Sequence, residues 1–175
     1  MTDPAPTPAA AGGMAAGLVY ADVPNRAVAY IIDSIIVFVV LVVIAIPLAV
    51  LSLGGILYSV VFGIVGLAIG AGYFIYTWTS MRATVGMKVL GMQIGNAGDG
   101  ATLTMDQGIR RFLAISAPSI LAQAFASVSA IGSLLGLAAF AWFIFLIYTT
   151  AKSPTKQGWH DVFANTMVVK AARSV

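Results

Sequence analysis

The chain has 175 residues, 60% of them apolar and only 9% charged, with a net charge of +3 and a mean hydropathy of +0.98. Soluble domains carry about 25% charged residues, so composition excludes an ordinary soluble domain and points to a membrane protein. Cysteine is absent, which excludes disulfides and thiolate metal sites.

Residues 1–24, rich in Pro, Ala and Gly, read as a disordered tail. They do not read as a signal peptide, because the apolar run starts late and no basic region opens the chain. That first run covers 27–51, which is 25 residues, where about 20 suffice to span a bilayer. Asp33 interrupts it, between Ile31-Ile32 and Ser34-Ile35-Ile36. An aspartate at a helix centre costs about 3 kcal/mol on an insertion scale, and each Leu, Ile, Phe or Val returns about 0.3–0.6. The run holds 17 such residues. Their gain is roughly 5–10 kcal/mol, so the helix inserts with its carboxylate.

Further apolar runs at 56–78, 109–128 and 130–150 bring the count to four spans. The expected class is an all-α membrane protein with four transmembrane helices and short cytoplasmic β or amphipathic segments. Residues 25–170 form its membrane domain and 171–175 a C-terminal tail. All nine Lys and Arg fall before the first run, between the second run and the first residues of the third, where Arg110 and Arg111 stand, or after the fourth. By the positive-inside rule these segments, and both termini, face the cytoplasm. That topology suits an inner-membrane protein, its basic face attracting anionic lipid head groups.

The segment between the second and third runs contains "KVLGMQI", expected as a short strand, and "GNAGDG", expected as a tight turn. Thr104 and Gln107 in "TMDQ" form a capping box for the third helix. Arg110 and Arg111 then anchor it at the interface by snorkelling. After the fourth run, "GWHDVFAN" reads as an interfacial helical turn with Trp159 and Phe163 dipping into lipid. "TMVVK" reads as a strand able to pair with "KVLGMQI".

Three pieces then coincide: "NRAVAYIID", with Asp33 seven residues after Arg26; "TVGMKVLGMQI" after the second run; and "KQGWHDVFANTMVV" after the fourth. In this order the chain resembles the RDD family of small bacterial membrane proteins over about Val19 to Val169. By matching motifs the family's arginine is Arg26 and its two aspartates are Asp33 and Asp161. The chain departs from the family in having Val85-Gly86-Met87 where Pro-Gly-Lys is frequent. It also has Pro24-Asn25 where an aromatic and a second arginine are frequent. The resemblance implies a transport role and names no substrate.

Arg26 and Asp33 share a helix face but lie about 10.5 Å apart along the axis, so each is expected to find its partner elsewhere. Arg82, Arg110 and Arg111 are the candidates for Asp33, and Asp161 for Arg26. Two roles stay open for these groups. They fasten the cytoplasmic segments to the bundle, or Asp33 lies in the path of an ion or small solute, as intramembrane carboxylates often do. The first role suits a structural or accessory subunit of a larger membrane complex, the second a transporter, either of them with room for a homo-oligomer. His160, the only histidine, reads as an interfacial hydrogen-bonder. No nucleophile elbow, phosphate loop or zinc motif is present. The expectation is therefore no enzyme activity, no catalytic residue, no metal or cofactor, and no nucleic-acid partner.

Overall fold

The computed structural model describes residues 18–51, 55–126 and 128–171. Its elements are β1 (Leu18–Tyr20), α1 (Val23–Val50), α2 (Gly55–Ser80), α3 (Val85–Val89), β2 (Met92–Asn96), α4 (Met105–Ala124), α5 (Ser129–Lys152), α6 (Trp159–Phe163) and β3 (Thr166–Ala171). Three helices, α1, α2 and α5, are long and apolar enough to cross a membrane. Of the 28 residues of α1 only Ala29 and Asp33 are buried against protein. Ile31, Ile35, Phe38, Val43, Ile46 and Val50 all stand exposed. A helix apolar on every side with this little protein cover needs lipid around it. The fourth expected span is a helix too, but α4 is not among the three. It carries Asp106, Gln107, Arg110, Arg111 and Gln123, and its polar groups turn inward at Gln107 and Arg111, both buried.

The short elements form a platform at one end of the bundle, where α1 and α4 begin and α2 and α5 end. Its sheet runs β1-β3-β2, antiparallel throughout. The expected pairing of the two strands is present: Met92 faces Lys170, and Asn96 faces Thr166. Two boundaries differ from expectation. Lys88 and Val89 belong to α3, because Thr84 caps that turn by accepting from Met87 N, so the strand starts only at Met92. The N-terminal stretch taken as tail holds β1, and Asp22 caps α1 by accepting from Asn25 N at 2.9 Å. Asp22 also meets Lys170 Nζ at 2.6 Å, which ties the start of α1 to β3. Residues 1–17 and 172–175, the rest of the two expected tails, lie outside the described residues.

The turn after β2 behaves as its composition predicts. Asn96 Oδ1 accepts from Gly98 N and Asp99 Oδ1 from Ala101 N, and Gly100 has φ +70°. The capping box is complete, Gln107 N donating to Thr104 Oγ1 and Thr104 N to Gln107 Oε1. Met92, Ile94 and Val168 on one sheet face pack with Ala21, Trp78, Met87 and Phe112 to make the core. This core joins sheet to helices, so the platform is seated on the bundle.

Gly86 is where α3 meets α1 most closely. A Cβ there would fall 2.2 Å from Ala29 O, a backbone atom with little freedom to yield. Gly86→Ala should therefore destabilise by about 1–3 kcal/mol, as overpacking does. Gly136→Ala should not, because nothing lies within 4 Å of its added Cβ. Thermal melts of the two variants in detergent check this, and equal melting points would contradict the packing described.

Candidate functional site

Two buried carboxylates organise the end of the bundle that carries the platform. Asp33, on α1, takes its partners from two other segments. Its Oδ1 accepts from Tyr73 Oη on α2 at 2.6 Å and from Gly86 N on α3 at 2.8 Å. Its Oδ2 accepts from Thr84 Oγ1 at 2.5 Å. All three donors are uncharged. This corrects the expectation of an arginine partner. Arg82 donates instead to Gly100 O at 2.5 Å. Arg110 forms an exposed pair with Asp106 at 2.9 Å, one helical turn away. Arg111 belongs to the other carboxylate. The physical reason is placement: the loop after α2 brings the hydroxyl of Thr84 and the amide of Gly86 over α1, where with Tyr73 they take up the carboxylate's oxygens.

Asp161, on α6, is completely buried. Arg26 Nη1 donates to its Oδ2 at 2.6 Å, which is the expected pairing. Arg111 Nη1 donates to its Oδ1 and also to Thr166 Oγ1 at 2.6 Å. Gly158 N donates to Oδ2 at 2.9 Å. One carboxylate thus ties together α1, α4, α6 and the start of β3. Arg111 is buried, with its guanidinium over the Trp78 ring, 5.2 Å from the centroid, and does not snorkel as expected. Burial opposes charge on Asp161, but the coulombic pull of Arg111 and Arg26 prevails, holding its carboxyl well below the usual carboxylate range.

His160 is buried beside this group, its Nε2 3.4 Å from Asp161 Oδ2. Burial pushes its imidazole down to about 4, with Arg111 and Arg26 adding to the effect and Asp161 opposing it. The ring is neutral at pH 7. Trp159 and Phe163 stack at 5.1 Å and are exposed, as expected of residues facing lipid.

Between α1, α2, α4 and α5 lies a cavity of about 330 Å³. Arg26, Arg111, Trp78 and His160 line its platform end, and Asp33 and Thr84 line it farther along α1. The rest of the wall is mainly apolar, with Tyr30, Phe74, Phe112, Phe143 and Leu146 among the residues contributing. Arg26 Nε and Nη2, Arg111 Nε, Trp78 Nε1 and His160 Nδ1 are buried and have no hydrogen-bond partner among the described residues. Each buried polar group left unpaired costs about 1–3 kcal/mol, and four of the five described side chains that hold one, all but Arg82, line this cavity.

Residues 20–165 match the RDD family. The chain belongs to the RDD family. No curated protein and no solved structure matches it. The three residues matched to the family's motifs divide into two centres: Arg26 and Asp161 in one, Asp33 in the other. Tyr73, Trp78, Thr84, Gly86 and Thr166 complete them and were not singled out from the sequence. A signal existed for two of these: Thr84-Val85-Gly86 opens the "TVGMK" motif, and a Thr two residues before a Gly after an apolar run is a natural helix cap.

The depressed imidazole has a consequence for stability. An unfolded histidine protonates near 6.5, while His160 in the folded chain resists protonation until about 4. Between those values the unfolded state binds the extra proton, so stability falls as pH drops, by up to roughly 3 kcal/mol. Melting temperature should decline from pH 7 to 4.5, and the decline should flatten in His160→Gln. An equal slope in the variant would contradict the buried neutral ring.

Proposed function

We propose that this RDD chain binds a small solute in the cavity beneath its platform and carries the solute, or an ion, across a bacterial inner membrane. The observation that supports this reading is the cavity itself, with buried unpaired donors on a wall between helices that cross the membrane. Ligand sites in helical bundles take this form, an apolar enclosure with a few convergent polar groups. In this reading α4 is a fourth span. Its 20 residues extend about 30 Å, the thickness of a hydrocarbon core. Ile109, Leu113 and Leu121 face outward, and Arg111 enters lipid only as part of an ion pair. Both termini and the platform then face the cytoplasm, with every Lys and Arg on that side. The chain carries out no catalysis and needs no cofactor.

A second reading has its own observation. The carboxylate of Asp33 already accepts three hydrogen bonds from two other segments, which suits a clasp better than a carrier. On that reading the protein is an accessory subunit, or one copy of an oligomer, within a larger membrane complex.

Flux in proteoliposomes under a proton or sodium gradient separates the two. Ser116 lines the cavity on α4, apart from both carboxylates. The wild type should pass current or solute, and Ser116→Phe, matched for thermal stability in detergent, should reduce that flux at least tenfold by filling the cavity. Absence of flux in both, with a protein copurifying from native membranes, would favour the accessory reading.

A further inference from the structure

The five unpaired nitrogens at the platform end of the cavity are not equivalent. Arg26 and Arg111 each keep at least one N–H beyond those given to Asp161, and Trp78 adds an indole N–H. Two guanidinium charges face one carboxylate there, so the end of the cavity keeps one positive charge in excess. The fifth, His160 Nδ1, lies against Gly158. The remaining N–H groups around an excess positive charge fit an anion. Asp33, the other charge on the wall, lies about 10.5 Å farther along α1, and its oxygens are already taken by Tyr73, Thr84 and Gly86.

The other walls identify the body that carries this anion. From the charged end the lining turns apolar, through Ala27, Tyr30, Ile115 and Leu146. Between α1 and α5 the lining residues Tyr30, Ile31 and Phe143 are themselves exposed, with the Tyr30 and Phe143 rings 5.9 Å apart. The cavity therefore reaches the outer surface between α1 and α5, where this ring pair covers it. A volume of about 330 Å³ equals that of about eleven waters, enough for a head group and its first methylenes but not for a whole lipid.

We propose that this cavity is a lateral binding site for an anionic lipid, the phosphate held by Arg26, Arg111 and Trp78 and the acyl chains leaving between α1 and α5. The proposal rests on the cavity being a ligand site, and it names the ligand class. The orientation agrees with a lipid of the platform-side leaflet: charged group at the membrane boundary, chains running toward the midplane. Arg26 and Arg111 hold the anion through the nitrogens that Asp161 leaves free, so the ion pair both builds the fold and presents the site.

The test is thermal melting of the purified full chain in a neutral detergent with three additions: phosphatidylglycerol, phosphatidylcholine of the same acyl chains, and inorganic phosphate. Phosphatidylglycerol should raise the melting temperature, and the other two should not. Trp78→Phe, which removes one N–H, should need about tenfold more phosphatidylglycerol for the same rise. Ser116→Phe, which fills the cavity, should show no rise. Equal stabilisation by phosphatidylcholine would overturn the head-group recognition, and equal stabilisation by inorganic phosphate would overturn the lipid source. A phosphatidylglycerol effect unchanged in both variants would overturn the location. Should either variant fail to fold, the lipid selectivity of the wild type still decides. Selective lipid binding without flux would sink transport and leave this site standing, whereas flux without lipid selectivity would do the reverse.

Discussion

The structure depends on one buried carboxylate. Asp161 sits on a single-turn helix whose apolar residues, Trp159, Val162 and Phe163, stay exposed, and Arg26, Arg111 and the amide of Gly158 all converge on it. Burying an ion costs several kcal/mol, and a partner in good geometry offsets that cost. Two arginines and an amide N–H more than compensate one aspartate, and the surplus positive charge stays at the cavity wall. Residues 135 and 50 positions away in sequence are thereby brought to one point. The sheet core of Met92, Ile94 and Val168 holds the platform together, while the ion pair sets where the platform meets the helices.

Asp33 solves a different problem by different means. It lies in a helix that is otherwise apolar on all sides, where an unpaired charge would be expensive. Hydroxyls from Tyr73 and Thr84 and the amide of Gly86 supply its hydrogen bonds, and no second charge enters. The same contacts hold α1, α2 and α3 together, and the lack of a side chain at Gly86 lets the backbones come within hydrogen-bonding reach. The two aspartates are thus separate centres, one paired with arginines and one held by uncharged donors, at two heights on the same cavity.

Local patterns made much of this legible in the sequence. Hydrophobic runs located all four long helices within a few residues, and "TMDQ" gave the cap of α4 because a capping box is a local interaction. Strand alternation in "KVLGMQI" and "TMVVK" was weak but sufficient for the pairing; it misplaced Lys88 and Val89, which the Thr84 cap draws into a helical turn, and Leu90 and Gly91, which form the turn that follows. The Arg26–Asp161 pair followed from the family motifs. The partner of Asp33 did not, because nothing in a sequence reveals that a loop after α2 will fold back over α1 and present uncharged donors. Arg111 and Arg110 are adjacent and chemically identical, and only the rotation of α4 sends one to Asp161 and the other to solvent. The cavity was equally hidden, since it is built from residues on four helices that no spacing relates. β1 was missed because three residues next to a Pro- and Ala-rich stretch carry too little pattern to be recognised.

The claim at the centre of this account is that Asp161 and Arg111 act as one unit. A double-mutant cycle tests it most directly, with Arg111→Met, Asp161→Leu and the pair measured for unfolding free energy in detergent. The account predicts a coupling of about 2–3 kcal/mol, within the range for contacting residues. Arg111→Met leaves Asp161 with Arg26 alone, Asp161→Leu leaves Arg111 buried without its carboxylate, and the double variant removes both members of the pair. Additive losses, with a double variant as unstable as the sum of the singles, would contradict it.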